Sequence, residues 1–169
     1  MTLSPLITTP RTYLHTPDFL TLDQIRKLDA DPEIMRYITN GQPRTVKESE
    51  NWLSIKLEEY KKNGFGLMPV FKKSDDSFIG WGGLKHLENS SHIEVGYRLD
   101  KTYWGQGFAT EITLAIIKYA KEKLELNQLV AVTDLQNKAS KRVLVKCGFK
   151  HVSEAYYYHT NVDYFELNL

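Results

Sequence analysis

The stretch HIEVGYRLDKTYWGQGFATEITLAIIKYAKEKL, residues 92–124, changes its period halfway along. Its first nine residues read as a strand. After Glu111, apolar residues at Ile112, Ala115, Ile116, Tyr119 and Ala120 fall at helical spacing. Between the two, Gly105, Gly107 and Ala109 keep the loop free of bulk. Such a loop lets backbone N–H groups approach an anion, which the positive end of the helix dipole favours. The first expectation is a phosphate-binding turn where the strand runs into the helix.

The pattern fits some phosphate loops better than others. A P-loop needs Lys and then Ser or Thr after its last glycine, whereas Phe108-Ala109 follow Gly107. A dinucleotide fingerprint needs a third small residue and an acid closing the next strand. Thr110 stands at the first position and Glu125, at the matching offset, falls at a helix end, so the match is poor. A tight turn that holds no ligand accounts for a lone G-x-G equally well. Taken alone, the loop leaves both readings open.

Working outward, TYLHT (Thr12 to Thr16) reads as a short strand, and Thr21 caps a helix with Leu22, Ile25 and Leu28 on one face. Asp31-Pro32 opens a second helix that Asn40-Gly41 ends. Thr45 and Glu48 have capping-box spacing ahead of a helix striped by Leu53, Leu57 and Tyr60, and Asn63-Gly64 closes it. FGLMPVFKK and SFIGWGGLKHL flank Ser74-Asp75-Asp76 as a hairpin, with Pro69 marking an edge or bulge. LVAVTDL is a further strand, Asn137 or a neighbour opens the helix KASKRVLVKCG, and two last strands meet around Thr160-Asn161. This order implies an α/β fold: a mixed sheet with helices on both faces, in one domain over residues 1–169.

Composition narrows the function. Twenty-two basic residues meet 21 acidic ones, for a net charge of +1, which gives no footing for nucleic acid. Cys147 is the one cysteine, so no intrachain disulfide forms and a reducing compartment fits. No apolar run approaches the roughly 18 residues of a membrane span. The N-terminal stretch MTLSPLITTPRTYLHTP lacks the pattern of a secretory leader, so the expected location is the cytoplasm. His15, His86, His92, His151 and His159 show no metal-ligand spacing. Cys147 follows Val143 by four, as a core thiol on a helix would.

The company of the loop separates its readings. IEVGYRLD, then YWGQGFATE, a long helix, LVAVTDL and NKASKRVLVKCGF together resemble the GNAT superfamily of acetyl-CoA-dependent N-acetyltransferases. The order of TPRTYLHTP, DPEIMRYI, the Trp52 helix, FIGWGGL and the final strands is similar to the branch holding the ribosomal-protein N-terminal acetyltransferases. The resemblance covers nearly the whole chain and implies a mostly antiparallel, twisted sheet whose central strands splay. It also implies acetyl-CoA as co-substrate, a primary amine as acceptor, no metal, and a homodimer as the family-level expectation.

Carried over by position, the resemblance places the CoA pyrophosphate on the backbone of Gln106, Gly107, Phe108, Ala109 and Thr110, with Gly105 and Gly107 allowing the approach. Trp104 stands where Gln or Arg is usual and reads as a packing residue. The strand IEVGYRL would supply the oxyanion donor, an N–H among Val95, Tyr97, Arg98 and Leu99, with Gly96 suited to a bulge. Asn137 would contact pantetheine, beside a plain role as helix cap. Ser140 would reach the thioester sulfur, because the family's tyrosine acid, seven residues after Asn137, is replaced by Leu144. Either Ser140 protonates the thiolate or nothing needs to, since a thiol pKa of about 8.5 leaves tolerably near neutrality.

The amine, mostly protonated at neutral pH, calls for a base. Glu94 holds that position by resemblance, against the plain reading of a solvated strand residue. His92 is the weaker second choice. Tyr156-Tyr157-Tyr158 reads as a strand alternating between core and surface near the acceptor side. The leading expectation is an N-acetyltransferase working by direct attack in a ternary complex, on a protein N-terminus or a small-molecule amine. A non-catalytic acyl-CoA-binding module is the rival, favoured only by the missing tyrosine.

Overall fold

A computed structural model describes residues 4–169; the first three, part of the stretch read for a leader, lie outside the described residues. Strand β1 (Ile7–Thr8) and β2 (Thr12–Leu14) form a small hairpin, followed by α1 (Leu22–Asp29), α2 (Pro32–Met35) and α3 (Val46–Asn63). Then come β3 (Leu67–Lys72), β4 (Phe78–His86), β5 (Ile93–Leu99), α4 (Phe108–Glu122), β6 (Gln128–Asp134), α5 (Lys138–Lys146), β7 (Lys150–Tyr157) and β8 (Thr160–Asn168). The strands make one eight-stranded sheet in the order β1-β2-β3-β4-β5-β6-β8-β7. Every neighbouring pair is antiparallel except β5 and β6, which run parallel and meet only where Glu94 faces Val130. Beyond that bridge the two central strands part.

Local chemistry explains most boundaries. Thr21 with Gln24 and Thr45 with Glu48 form reciprocal capping boxes at α1 and α3. Gly64, at φ 74°, closes α3 in the left-handed conformation. The carbonyl of Pro69 accepts from His15 N–H just past the end of β2, so among the described residues its ring nitrogen faces a side with no further partner strand. A register shift follows at once between Val70 and Phe71.

The two faces of the sheet are covered differently. On one, α4 lays Ile112, Ile116 and Ala120 over Val95, Leu99, Leu84 and Leu129. A Cβ at Gly82 would meet the Ile112 side chain at 3.0 Å, so glycine lets α4 sit a few tenths of an ångström closer to the sheet. On the other face Ile25 and Leu28 of α1 pack with Leu20, Ile34, Leu67 and Trp81, and Trp52 and Leu53 of α3 close over them. Asp29 is fully buried there and accepts from Arg98 at 2.6 Å, from Arg44 at 3.1 Å and from Ser49 at 2.7 Å.

Several expectations are corrected. The helix opened by Asp31-Pro32 ends at Met35, and Gly41 serves a later turn. The last hairpin turns at Tyr158-His159, two residues before Thr160-Asn161, with φ of 53° and 62°. Two consecutive positive φ values belong to a two-residue turn that matches sheet twist. Strand β5 pairs with β4 from Gly80–Leu99 to His86–Ile93 without a shift, so Gly96 makes no bulge. The opening lies on the other side of β5, toward β6.

Candidate active site

The first turn of α4 is presented outward by a braced loop. Gly105 and Gly107 have φ of 72° and 82°, and Gly107 is the N-cap without any side chain bonded to the helix end. Thr21, Thr45 and Asn137, by contrast, each cap their own helix with a side chain. The N–H groups of Phe108, Ala109 and Thr110 therefore sit at an uncapped helix start, open to an anion. A Cβ at Gly107 would meet only Arg11, at 3.5 Å, so glycine is needed for backbone conformation rather than room.

Arg11 of the β1–β2 turn holds the loop in place. It pairs with Glu111 at 2.6 Å, donates to the Gln106 carbonyl at 2.9 Å and lies 4.0 Å over the Phe108 ring. Thr9 donates to the same carboxylate at 2.6 Å. Burial pushes the Glu111 pKa up, but the Thr9 and Arg11 donors outweigh it and leave the group below its ordinary value. Gln106 ties back to the Thr102 carbonyl at 2.8 Å. Trp104 is 45% exposed, so it is no core residue; its indole N–H donates to the Leu99 carbonyl and pins the end of β5.

The β5 main chain faces two ways. The amide of Asp100 bonds to Ile79 and the carbonyl of His92 to Leu87, both on the β4 side. Alternation along the strand then turns Glu94, Gly96 and Arg98 toward β4 and Val95, Tyr97 and Leu99 toward β6. The bridge centred on Glu94 and Val130 engages the strand beside Val95, and past it Tyr97 and Leu99 N–H face the opening. Arg98 departs from the expected set. Its backbone belongs to the β4 ladder and its side chain to Asp29, where burial lowers its pKa to about 10.

Side chains on opposite faces of β5 frame the opening. On the α1 face, Glu94 is buried at 5% exposure rather than solvated. Its Oε2 accepts from the Tyr158 hydroxyl at 2.5 Å and lies 3.3 Å from Lys85 Nζ. Lys85 in turn donates to the Tyr158 oxygen at 2.9 Å, and the Tyr158 N–H donates to Glu88 at 2.6 Å. Burial raises the Glu94 pKa, and the Lys85 charge and Tyr158 bond pull it back only in part. His92 precedes the strand, is exposed and bonds to Ser90 at 2.9 Å, which removes it from this cluster. Tyr158 and Lys85 were missed in the sequence because a turn tyrosine and a strand lysine carry no spacing signal. Tyr156 is exposed and Tyr157 stacks on Tyr164, so only the third tyrosine reaches the site.

On the α4 face, Asn137 caps α5 by accepting from Ser140 N–H at 3.1 Å. The Ser140 hydroxyl lies 2.9 Å from that of Tyr97. Leu144, 2% exposed, belongs to the core. Burial raises the Cys147 thiol to about 11, the state of an inert core residue. Among the described residues no cluster of His, Cys, Asp and Glu is set to hold a metal ion, and no helix is long and apolar enough to cross a membrane.

An open mixed sheet, parted at its one parallel pair beside an uncapped glycine-led helix, defines a class of acyl-transfer proteins. The chain belongs to the GNAT acetyltransferase family: its acetyltransferase domain description matches residues 11–150. The FsC-acetyl coenzyme A-N(2)-transacetylase of Aspergillus fumigatus is 32% identical over 137 residues, covering 75% of this chain and 57% of that protein's length. An acetyltransferase structure from Agrobacterium tumefaciens superposes with a TM-score of 0.84 at 22% identity, covering 99% and 95% of the two chains. RimL, a ribosomal alpha-N-protein acetyltransferase solved with coenzyme A, superposes with a TM-score of 0.80 at 13% identity, covering 98% of each.

Proposed function

We propose that this chain is an acetyl-CoA-dependent N-acetyltransferase that acts on a primary α-amine, of a peptide N-terminus or a small molecule, by direct attack. The observation carrying this reading is the opening between β5 and β6, with a buried carboxylate on one face and a serine hydroxyl on the other. The residues present fit the group. The uncapped N–H groups of Phe108, Ala109 and Thr110, with Gly105, Gln106 and Gly107, would hold the pyrophosphate, and the strand edge from Val95 to Leu99 with Asn137 would hold the pantetheine arm. Acetyl-CoA supplies the activated acyl group.

Within that frame the side chains divide the work. Glu94 takes the proton that keeps the amine from attacking, directly or through one water, and among the described residues its Oε1 receives no donor. Tyr97 N–H faces the opening and is placed to meet charge developing on the acyl oxygen. Ser140 donates to the departing sulfur. The α-amine preference rests on pKa: about 8 against about 10.4 for a lysine amine, so more of it is free at neutral pH. Proteins of similar fold named for spermidine and for an alpha-N-protein acceptor leave the two acceptor sources to experiment.

The test is CoA release with a panel of α-amines, diamines and peptides bearing both an α- and an ε-amine. Acetylation at the α position supports the reading. Acetyl-CoA binding without turnover on any amine would favour the non-catalytic module instead, and predominant ε-acetylation would overturn the α preference.

A further inference from the structure

Tyr97 sends its main chain and its side chain to two sides of one opening. Its N–H faces β6, while its hydroxyl crosses 43 positions of sequence to meet Ser140 at 2.9 Å. Ser140 is itself fixed at the third position of α5 by the Asn137 cap. It is the only hydroxyl residue in that helix, and Leu144 offers the helix no second one. Among the described residues neither hydroxyl has another hydrogen-bond partner from a side chain or backbone group.

We propose that Tyr97 is a positioning residue: its phenol donates to the Ser140 oxygen and thereby aims the serine's own O–H at the leaving sulfur, as a hydrogen bond in which the serine keeps its proton. The inference rests on reading the β5–β6 opening as the thioester site. A bond between two hydroxyls uses one hydrogen and leaves the other free. The phenol is the stronger acid of the two, so it donates and the serine hydrogen is the one left over. A hydroxyl that accepts one bond gives a stronger bond in turn, so the arrangement polarises Ser140 toward its third partner.

The same geometry says what Tyr97 does not do. Burial lifts its pKa to about 12, so the phenol stays protonated throughout the neutral range. A thiolate whose conjugate acid has a pKa near 8.5 cannot draw that proton away except uphill. Tyr97 keeps its proton and orients another.

The experiment measures kcat and the acetyl-CoA KM for the full chain with one good amine. Wild type, Tyr97→Phe, Ser140→Ala and the double variant are compared, each checked for an unchanged thermal melt. Tyr97→Phe keeps the ring and the N–H, so kcat is expected to fall about tenfold, the weight of one modest hydrogen bond, with KM unchanged. The double variant is expected to be no slower than Ser140→Ala, because the phenol acts only through the serine. Should Tyr97→Phe lose its fold, 3-fluorotyrosine at position 97, a stronger donor of nearly the same shape, is expected to keep kcat at or above wild type. A slow Ser140→Ala beside a normal Tyr97→Phe, or losses that simply add, overturns the positioning role and leaves the site reading standing. A normal Ser140→Ala in a protein that still binds acetyl-CoA overturns the sulfur contact itself.

Discussion

Glu94 combines two demands that pull against each other. A base that frees an amine of pKa about 8 is helped by a raised pKa, and burial provides that. The Tyr158 and Lys85 donors on Oε2 limit the rise. Glu94→Gln is expected to lower kcat by about 10²- to 10⁴-fold, with part of the rate recovered above about pH 8, where the amine deprotonates unaided. A normal pH–rate profile for that variant would remove the base assignment. Tyr158→Phe deletes a bond that lowers the Glu94 pKa. The acidic limb of kcat/KM should therefore move to higher pH, and a limb that stays put or moves down would show that Tyr158 does not act on Glu94. Stability follows the same titration. The native state keeps a proton that the unfolded chain releases near pH 4.3, so this contribution is present below that pH and lost as pH rises through the native pKa. Melting temperature of wild type minus that of Glu94→Gln should fall with pH across this window and then level off; a pH-independent difference would contradict it. Position made Glu94 legible in the sequence. Its burial and its tyrosine were not, because Tyr158 lies 64 residues away at the tip of a turn.

At the scale of elements, the strand-loop-helix from Ile93 to Glu122 carries the proposed nucleotide end of the site. Gly107→Glu adds a side chain and a negative charge at the one α-helix start left without a side-chain cap among the described residues, and it forces a non-glycine residue to φ near 82°. Acetyl-CoA should raise the melting temperature of wild type and leave this variant unmoved. Equal binding by calorimetry would show that the loop is not the anion site. Capping made α1, α3 and α5 readable, since Thr21, Thr45 and Asn137 bond within three residues of themselves. Elements governed by distant partners were harder. Strand β1 is two residues long and has no period to detect. The final turn falls on Tyr158-His159, residues that rarely adopt positive φ, where Asn161 advertised a turn two positions on. A strained tyrosine at that tip is what places its hydroxyl on Glu94.

Across the whole molecule, the helices on the α1 face are held by a charge cluster the sequence did not announce. Arg98 comes from β5, Arg44 from the segment before α3 and Asp29 from the end of α1, and they meet where Asp29 has no exposure. Asp29→Ala would leave two guanidinium groups near one another without their anion. The expected loss is about 3–5 kcal/mol in denaturant unfolding, far above that of an exposed pair such as Lys61 with Glu58. A loss under about 1 kcal/mol would show that water already compensates the arginines. The parting of β5 from β6 was legible only through family resemblance, since no residue pattern within either strand encodes the distance between them.

The Arg11 clamp joins points 100 residues apart, and the Tyr158 contact closes a span of 64. Each contact pays its loop-closure entropy in full before it gains anything locally, so both are expected among the late steps of folding. The site geometry is therefore expected to be stitched together by its slowest seams, with the local caps and the β3–β4 hairpin forming earlier. As denaturant rises, those seams are expected to open first. Amide exchange at the β1–β2 turn and at Tyr158 should quicken, and turnover should fade, at concentrations where the core beneath α4 still protects its amides.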